Sequence, residues 1–345
     1  MTEEDWIVVT AEQADAAARA ALRAAGCDEA HARAAAAVLV RAEQDGCASH
    51  GLFRLPGFVA ALKCGKANGD AAPNVTYLAP GVVRIDGRRA LSPLATEVAR
   101  DEIAKLARTN GIAAAAITNV HHFSALWVDI EPLVDAGLGA LICTAYVPFV
   151  APAGASQRFF GTNALAFGFP TDDGGFIFDQ ASAATARGEL QIAARDGLLA
   201  PEGAGVGPDG LPTRDPAQIL LGAQSPFGGH KGSSIALMVE LLAGVLIGQP
   251  TSPEAGREEA ARGALEDTGP PNGGVLLIAF DPQKFGDSEG WRAHAQSFFA
   301  ELRALPGARL PGDRRKAERA RIAREGVRLP AALWRQVVAA SRETP

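Results

Sequence analysis

The stretch IAAAAITNV, residues 112–120, opens with six apolar residues in a row. Comparable short runs follow at residues 138–147, 175–183 and 273–281, and helical stretches lie between them. Short strands that are apolar throughout are typical of a sheet covered on both faces. Their alternation with helices predicts an α/β protein built in layers.

The N-terminal part of the chain is predicted to be mostly helical. Thr10 and Gln13 have the spacing of a capping box, which indicates a first helix, and Asp28 is a suitable cap for a second that ends near residue 46. A third helical piece is expected to end near residue 65. Residues 81–93 predict a strand, a turn at residues 86–87, and a helix that starts at Ser92.

The bulk composition is that of an ordinary globular protein. Of 345 residues, 48% are hydrophobic, and the net charge of −6 gives no support for a nucleic-acid partner. The four cysteines form no CxxC pair, which favours reduced thiols in a cytoplasmic protein. The longest apolar run, residues 233–248, is interrupted by Glu240, and we expect a buried core helix because the run is too short and acidic to span a membrane.

The sequence GVGPDG, residues 205–210, has the GxGxxG spacing of dinucleotide-binding folds. That mechanism requires a preceding strand and a helix whose N-terminus receives the pyrophosphate. No strand is predicted before this stretch, and prolines at 208, 212 and 216 are typical of turns. A nicotinamide cofactor would therefore have to be bound in a way that does not use a Rossmann fingerprint.

The segment CASHGLFRLPGF, residues 47–58, brings Ser49, His50 and Arg54 together at a helix start. Ser49 is placed to orient the His50 ring, and Arg54 lies one turn further along. Arginine binds carboxylates bidentately and histidine titrates near neutral pH, so the segment suits an acid beside an anion-binding group. From spacing alone, the polar rim of a helix start is an equally supported interpretation.

Several further polar positions follow predicted strands. NVHHFSALW, residues 119–127, places two histidines where open α/β sheets bind ligands, although the pair would also serve to cap the next helix. No third ligand stands at a spacing suited to zinc. Asp179, Arg187 and Glu189 surround a predicted helix, where they are either a solvated face or, for Glu189, a partner for a catalytic proton.

Two cationic segments are candidates for anion binding. His230 and Lys231 precede the apolar helix, whose N-terminus carries partial positive charge. Residues 309–326 are strongly basic, and the group at 314–316 is either a solvated helix face or a phosphate contact. The stretch RFFGTNALAFGFP, residues 158–170, is expected to be an irregular buried loop.

Taken in order, these motifs resemble the malate/L-lactate dehydrogenase family that lacks a Rossmann fold. The matching stretches are SHG with Arg54, HHF, GTNALAFGFP, PFGGHKG and LPGDRR, which span nearly the whole chain. The resemblance implies an α/β/α fold of three layers with a mixed sheet, in which the helical N- and C-terminal segments pack together. It also implies a cofactor-binding domain at 119–223 and a discontinuous catalytic and dimerisation part, 1–118 with 224–345.

Within that family, the stretch from GELQIAA to PFGGHKGS is most similar to reductases of Δ1-piperideine-2-carboxylate and Δ1-pyrroline-2-carboxylate. This similarity implies a homodimer that reduces cyclic imino acids to L-pipecolate and L-proline with NADPH, or with NADH. His50 would donate the proton, with Ser49 and Glu189 in its relay. The imine reductases carry aspartate where Glu189 stands.

The remaining site residues follow from the same resemblance, and no metal is implied. Substrate contacts would come from Arg54, Thr162, Arg187 and Gly188. The cofactor would be bound by His122, Phe123, Ser124, Ala125, Leu126, Asp179, Gln180, Ala181, His230, Lys231, Arg309, Leu310, Pro311, Gly312, Asp313, Arg314 and Arg315. Among these, Arg314 and Arg315 are the expected source of cations for a 2′-phosphate.

Other functions compete with this interpretation. A 2-hydroxyacid dehydrogenase would use His50 to protonate a ketone oxygen, and a reductase of open-chain N-alkyl imines would use it as an imine reductase does. Glu189 within GELQIAA favours imine substrates over keto acids. A serine hydrolase built on Ser49, His50 and Glu189 is disfavoured because the chain has no GxSxG elbow. A binding module without activity is disfavoured by the intact pair His50 and Arg54.

Overall fold

The computed structural model describes residues 5–121, 125–172, 175–262, 271–286 and 290–342. Within them the strands are β1 (Trp6–Val9), β2 (Asn74–Ala79), β3 (Val82–Leu91), β4 (Ile112–His121), β5 (Gly139–Thr144), β6 (Ala164–Phe169), β7 (Phe176–Gln180), β8 (Gly205–Val206), β9 (Pro212–Thr213), β10 (Ala223–Gln224), β11 (Asn272–Phe280) and β12 (Val327–Pro330).

The α-helices in the same residues are α1 (Ala11–Ala24), α2 (Glu29–Gln44), α3 (Leu55–Lys63), α4 (Ser92–Asn110), α5 (Leu126–Asp135), α6 (Arg187–Asp196), α7 (Pro216–Leu221), α8 (His230–Val239), α9 (Ser252–Ala261), α10 (Trp291–Ala304), α11 (Asp313–Glu325) and α12 (Ala331–Ala340). The predicted capping box on α1 and the Asp28 cap on α2 are both confirmed.

A mixed sheet of seven strands forms the centre, in the order β2-β3-β4-β11-β5-β6-β7. Strands β3 and β4 are parallel, and the other neighbouring pairs are antiparallel. Side chains alternate between the two faces of each strand. Ile117 and Leu277 pack with α4 and α5, whereas their neighbours Ala116 and Leu276 pack with α8 and the turns that follow it. The predicted three-layer architecture with a mixed sheet is therefore confirmed.

The helical termini form a second core beside the sheet. Buried residues of α1, α2 and α3 pack with Ile322 of α11, Val337 of α12 and both strands of a small antiparallel pair. In that pair, β1 lies against β12, with Trp6 opposite Pro330 and Val9 opposite Val327. The two ends of the chain are thus joined, as the resemblance implied.

Two local predictions are wrong. The turn expected at residues 86–87 is part of β3, where the pairing with β4 shifts between Asp86 and Ala90 and both Arg88 and Arg89 have positive φ. The polar turn signal therefore marks a bulge and not a strand end. The loop expected around residues 158–170 contains β6, whose consecutive residues pair with β5 on one side and with β7 on the other.

The apolar run also differs from its prediction. Helix α8 continues through a π-helical turn, Glu240–Gly244, and a 3₁₀ turn, Val245–Ile247. Residues His230–Ile247 have a mean hydropathy of 1.4 and, by length and composition alone, are long enough to cross a membrane. One face packs on the sheet, and the other exposes large apolar side chains: Leu237, Leu241, Val245 and Leu246. The run therefore forms the predicted core helix on one face, whereas its other face is exposed.

The GVGPDG stretch lies in a small sheet of order β10-β8-β9, in which β8 has two residues. This agrees with its prediction as turn chemistry. The division of the chain at residues 119–223 stays a prediction, and the seven-stranded sheet takes strands from both of the proposed parts.

Candidate active site

Two short 3₁₀ turns, Ala48–His50 and Leu52–Arg54, carry the predicted acid and anion-binding residue. The buried carboxylate of Glu43 in α2 lies beneath them and accepts a hydrogen bond of 2.7 Å from the Leu52 backbone N–H. Gly51 has no room for a side chain because that carboxylate fills the space. Burial raises the pKa of Glu43 to about 7. Glu43 therefore supports the segment that holds His50 and Arg54.

The His50 ring is fixed from two sides. Ser49 Oγ lies 3.0 Å from His50 Nδ1, as the sequence predicts for an orienting hydroxyl. The ring also meets Trp127 edge to face, with 5.9 Å between centroids. A hydroxyl at Nδ1 fixes the orientation of the imidazole, and an oriented imidazole is suited to act as a general acid.

Arg54 is partly buried and held in a defined orientation. Its Nε donates to the Ser49 carbonyl oxygen at 2.8 Å, and its Nη1 donates to Gln191 Oε1 at 3.1 Å. Burial lowers the pKa of its guanidinium to about 10, so the group remains a cation at neutral pH. A desolvated, oriented guanidinium is suited to bind a carboxylate strongly.

Helix α6 brings the next predicted substrate residues to Arg54. A side chain on Gly188 would place its Cβ 2.6 Å from Arg54 Nη2 and 2.9 Å from Ser49 Cβ, so α6 can approach this closely only with glycine there. The Arg187 guanidinium lies over the Phe149 ring, 3.5 Å from its centroid. Arg187 and Gly188 thus lie in the same neighbourhood as Ser49 and Arg54.

Tyr146 faces the same cations. Burial raises the pKa of its phenol, and the charges of Arg54 and Arg187 act in the opposite direction. Its backbone N–H donates to Asn163 Oδ1 at 3.3 Å, and Asn163 follows the predicted Thr162. The Thr162 carbonyl accepts from Ser182 N–H at 2.7 Å. The geometry therefore links the Thr162 turn to the site through Tyr146.

Glu189 is not brought into this group by any recorded contact. Its side chain is exposed, although it follows Gly188 directly. Within the described ranges, its carboxylate has no hydrogen bond or ion pair to Ser49 or to another residue. Successive residues on a helix point in different directions, about 100° apart, which explains why Gly188 faces Ser49 and Glu189 does not. The proton relay through Glu189 stays a prediction.

Two of the predicted cofactor segments lie along β7. Arg315 Nη2 donates to the Ile177 carbonyl at 2.7 Å, and Lys316 Nζ donates to the Gly175 carbonyl at 2.8 Å, so the start of α11 lies against this strand. The Trp127 backbone N–H donates to Asp179 Oδ2 at 3.2 Å, which brings the start of α5 to the same place. Burial raises the pKa of Asp179 to about 7, opposed by that N–H and by Arg315.

Helix α8 begins beside these segments. The Phe227 N–H donates to the Ser182 carbonyl at 3.0 Å, directly after the predicted Ala181. His230 and Lys231 are exposed at the first turn of α8, and Gln180, Arg309, Pro311 and Arg314 are exposed in their own segments. Exposed cations and backbone N–H groups next to a carboxylate are a donor set that fits the phosphates and ribose hydroxyls of a dinucleotide.

Some of the predicted cofactor residues also have a part in the fold. The side chains of Ala125, Leu126 and Leu310 are buried in the core. The Asp313 carboxylate accepts the Leu310 N–H at 3.0 Å and pairs with Arg303 at 3.2 Å, so it stabilises the turn around Gly312. At Ala125, Leu126 and Leu310 a ligand would therefore meet the backbone, and their role in cofactor binding stays a prediction. His122, Phe123 and Ser124 lie outside the described residues.

A sequence profile of malate/L-lactate dehydrogenases matches residues 9–338, which is nearly the whole chain. The chain belongs to this family. It is therefore an oxidoreductase, and members of the family use nicotinamide cofactors. Both the predicted family and the predicted enzyme class are confirmed.

The relatives include imino acid reductases. A Δ1-pyrroline-2-carboxylate reductase of Ancylobacter novellus is 47% identical and covers 93% of this chain and 94% of its own length. A Δ1-pyrroline-2-carboxylate/Δ1-piperideine-2-carboxylate reductase of Pseudomonas aeruginosa is 46% identical, with coverages of 92% and 94%. The crystal structure of Δ1-piperideine-2-carboxylate reductase from Pseudomonas syringae pv. tomato matches with a TM-score of 0.90 at 38% identity and covers 97% of this chain and 99% of that one.

The sulfolactate dehydrogenase of Methanocaldococcus jannaschii is similar in structure as well, with a TM-score of 0.85 at 28% identity and coverages of 98% and 97%. The predicted fold of this type is thereby confirmed. Because a sulfolactate dehydrogenase and a Δ1-piperideine-2-carboxylate reductase share this fold, the fold alone does not identify the substrate.

Sequence reasoning missed Glu43, Trp127, Tyr146 and Gln191. Gln191 lies one helical turn after Arg187, and Trp127 ends the quoted HHF motif, so both had a local signal. Glu43 stands within an apolar helical run, where a buried acid marks a special role. Tyr146 follows a strand without any pattern that links it to Arg54.

Proposed function

We propose that this protein reduces the cyclic imino acids Δ1-pyrroline-2-carboxylate and Δ1-piperideine-2-carboxylate with NADPH. The observation that carries the proposal is the oriented pair of His50 and Arg54, held by Ser49, in a chain 47% identical to a named reductase of this kind. A cyclic imino acid needs a cation for its carboxylate and an acid for its nitrogen, and this pair supplies both.

Each residue has one task in the proposed reaction. Arg54 binds the substrate carboxylate, and its contacts with Gln191 and the Ser49 carbonyl keep the guanidinium in position. Ser49 holds Nδ1 of His50, so that Nε2 gives its proton to the imine nitrogen. When bound, the nicotinamide supplies the hydride that reduces the C=N carbon. Hydride and proton together convert the imine into the secondary amine of the product.

The preference for NADPH over NADH belongs to this proposal too. A 2′-phosphate requires cations that are accessible beside the ribose. Arg314 is exposed and Arg315 is partly exposed at the start of α11, next to Asp179, which supports their role. Lower catalytic efficiency with NADPH after substitution of Arg314 by alanine, and unchanged efficiency with NADH, is the expected result.

We further propose a cytoplasmic homodimer in which a second copy covers the exposed face of α8. The face consists of Leu237, Leu241, Val245 and Leu246, each between 50% and 66% exposed, and contiguous apolar surface of this kind marks interaction sites. The four cysteines are free thiols, which supports a reducing compartment. Light scattering should give a dimer for the unmodified protein and a monomer for Leu241→Glu. Recovery of the unmodified protein in the membrane fraction of lysed cells would contradict both the cytoplasmic location and the role of this face in a dimer.

The test of the function is a parallel assay of NADPH oxidation. The purified protein is offered Δ1-pyrroline-2-carboxylate, Δ1-piperideine-2-carboxylate, pyruvate and oxaloacetate, and NADH replaces NADPH as a control. We expect turnover of the cyclic imines with little turnover of the keto acids. Turnover of the keto acids without the imines would make the protein a 2-hydroxyacid dehydrogenase.

A further inference from the structure

Trp127 contacts His50 and two residues of the predicted cofactor segments, Arg315 and Asp179. The edge of its ring system meets His50, with the two planes at 63°. The Arg315 guanidinium carbon lies over the Trp127 ring, 5.1 Å from its centroid. Its backbone N–H donates to Asp179. One residue therefore connects the acid to the predicted cofactor segments, through its indole at Arg315 and through its backbone at Asp179.

The indole is held by a hydrogen bond to the buried carboxylate of Asp45, which is itself paired with Arg319. Trp127 Nε1–H donates to Asp45 Oδ2 at 2.7 Å, and Asp45 is 1% exposed. Arg319 donates two hydrogen bonds to the same carboxylate, from Nε at 2.6 Å and from Nη2 at 2.9 Å. Arg319 Nη1 also donates to Glu131 Oε1 at 2.8 Å. Bidentate pairs of this kind restrict geometry strongly, so the indole has one orientation.

This anchor joins three helices around the site. Asp45 ends α2, Glu131 lies in α5 and Arg319 in α11, while Arg41 of α2 also pairs with Glu131 at 2.5 Å. The helix that leads to His50, α2, and the helix that carries Arg315, α11, are thus held to Trp127 by the same charges. A displacement of one of them is transmitted to the indole, because close-packed groups move together.

We propose that Trp127 is a positioning residue that couples the orientation of the His50 acid to the cofactor cleft. The inference rests on the proposed function, since it assigns His50 the role of acid. The indole restricts rotation of the imidazole about its side-chain bonds and carries Arg315 on its face. Misplacement of a reacting group by about 1 Å costs on the order of a hundredfold in rate, so the constraint is large enough to matter.

The experiment compares Trp127→Phe with Trp334→Phe. Phenylalanine keeps an aromatic ring but lacks the N–H that binds Asp45, and Trp334 packs in the terminal helical core instead of at the site. For Trp127→Phe we expect kcat with a cyclic imine to fall about tenfold, and KM to stay within about twofold because Arg54 is untouched. Trp334→Phe should match the unmodified protein in both constants.

A second variant keeps the inference testable if Trp127→Phe fails to fold. Asp45→Asn leaves the indole in place but weakens its anchor, and it should lower kcat in the same direction. A folded Trp127→Phe or Asp45→Asn protein with unchanged kcat would overturn the inference.

A spectroscopic readout separates this inference from the proposed function. Energy transfer from tryptophan to bound NADPH should fall sharply in Trp127→Phe and persist in Trp334→Phe, whether or not the imine is a substrate. Absence of imine turnover in the unmodified protein would count against the proposed function alone. Equal energy transfer in the two variants would refute the coupling to the cofactor cleft.

Discussion

Substitution of Gly188 by alanine probes the closest approach in the site. The added Cβ would lie 2.6 Å from Arg54 Nη2, 2.9 Å from Ser49 Cβ and 3.3 Å from the Ser49 carbonyl oxygen. Cβ atoms do not tolerate the two shorter distances, so either Arg54 or the Ser49 backbone must move. Both belong to the group that binds and protonates the substrate.

The size of the effect follows from what is displaced. The Arg54 end is flexible, but its Nε and Nη1 are tied to the Ser49 carbonyl and to Gln191, so relief by rotation breaks at least one of these hydrogen bonds. A hydrogen bond to a charged group is worth about 1.5–3 kcal/mol. If this free energy is lost from substrate binding, kcat/KM falls about 10- to 100-fold. Most of it should appear in KM, because Arg54 holds the carboxylate before and during reaction.

The assay is NADPH oxidation with a cyclic imine over a range of concentrations. Gly273→Ala is the matched control, since its added Cβ would meet its nearest neighbour, the Ala145 carbonyl oxygen, at 3.9 Å, an ordinary contact. The control should retain the kcat/KM of the unmodified protein. A Gly188→Ala protein with kcat/KM within about twofold of that value would refute the account of Arg54 as the substrate anchor.

Two further substitutions test the roles of Glu43 and Glu189. Burial raises the pKa of Glu43 from 4.5 to about 7, so its ionised form is disfavoured in the folded state and stability falls as pH rises between those values. From about pH 5 to about pH 8, the free energy of unfolding of the unmodified protein should therefore fall by up to about 3 kcal/mol because of Glu43. Glu43→Gln cannot ionise and should lack this fall when unfolding by denaturant is measured at both pH values. The same pH dependence in both proteins would contradict the prediction. The exposed Glu189 should tolerate Glu189→Gln with kcat within about threefold, whereas a required relay would produce a far larger loss.

Much of the fold is predictable from the sequence because its signals are strong and local. The capping box of Thr10 and Gln13 and the cap at Asp28 satisfy helix N-termini without tertiary help. The apolar runs of β4, β5 and β11 are buried on both faces of the sheet, as continuous runs require. The predictions fail where the structure depends on pairing between strands that are distant in the sequence. The Asp86–Gly87 turn signal lies at a bulge in β3, and β6 is a strand because it pairs with β5 and β7.

The site was predictable to a similar degree. Ser49, His50 and Arg54 lie within six residues, so their proximity follows from the chain itself. Gln191 lies 137 positions from Arg54, and only tertiary packing brings it to Nη1. Burial of Glu43 and exposure of Glu189 likewise depend on neighbours far along the chain, which no spacing encodes.

The replacement of His50 by glutamine tests the central claim most directly. Glutamine retains a polar side chain but cannot supply a proton near neutral pH, and general acid catalysis contributes on the order of 10²- to 10⁴-fold. Steady-state NADPH oxidation with Δ1-pyrroline-2-carboxylate should show kcat reduced by at least about a hundredfold, with KM changed little because Arg54 remains. A variant that folds and retains the kcat of the unmodified protein would show that His50 is not the acid.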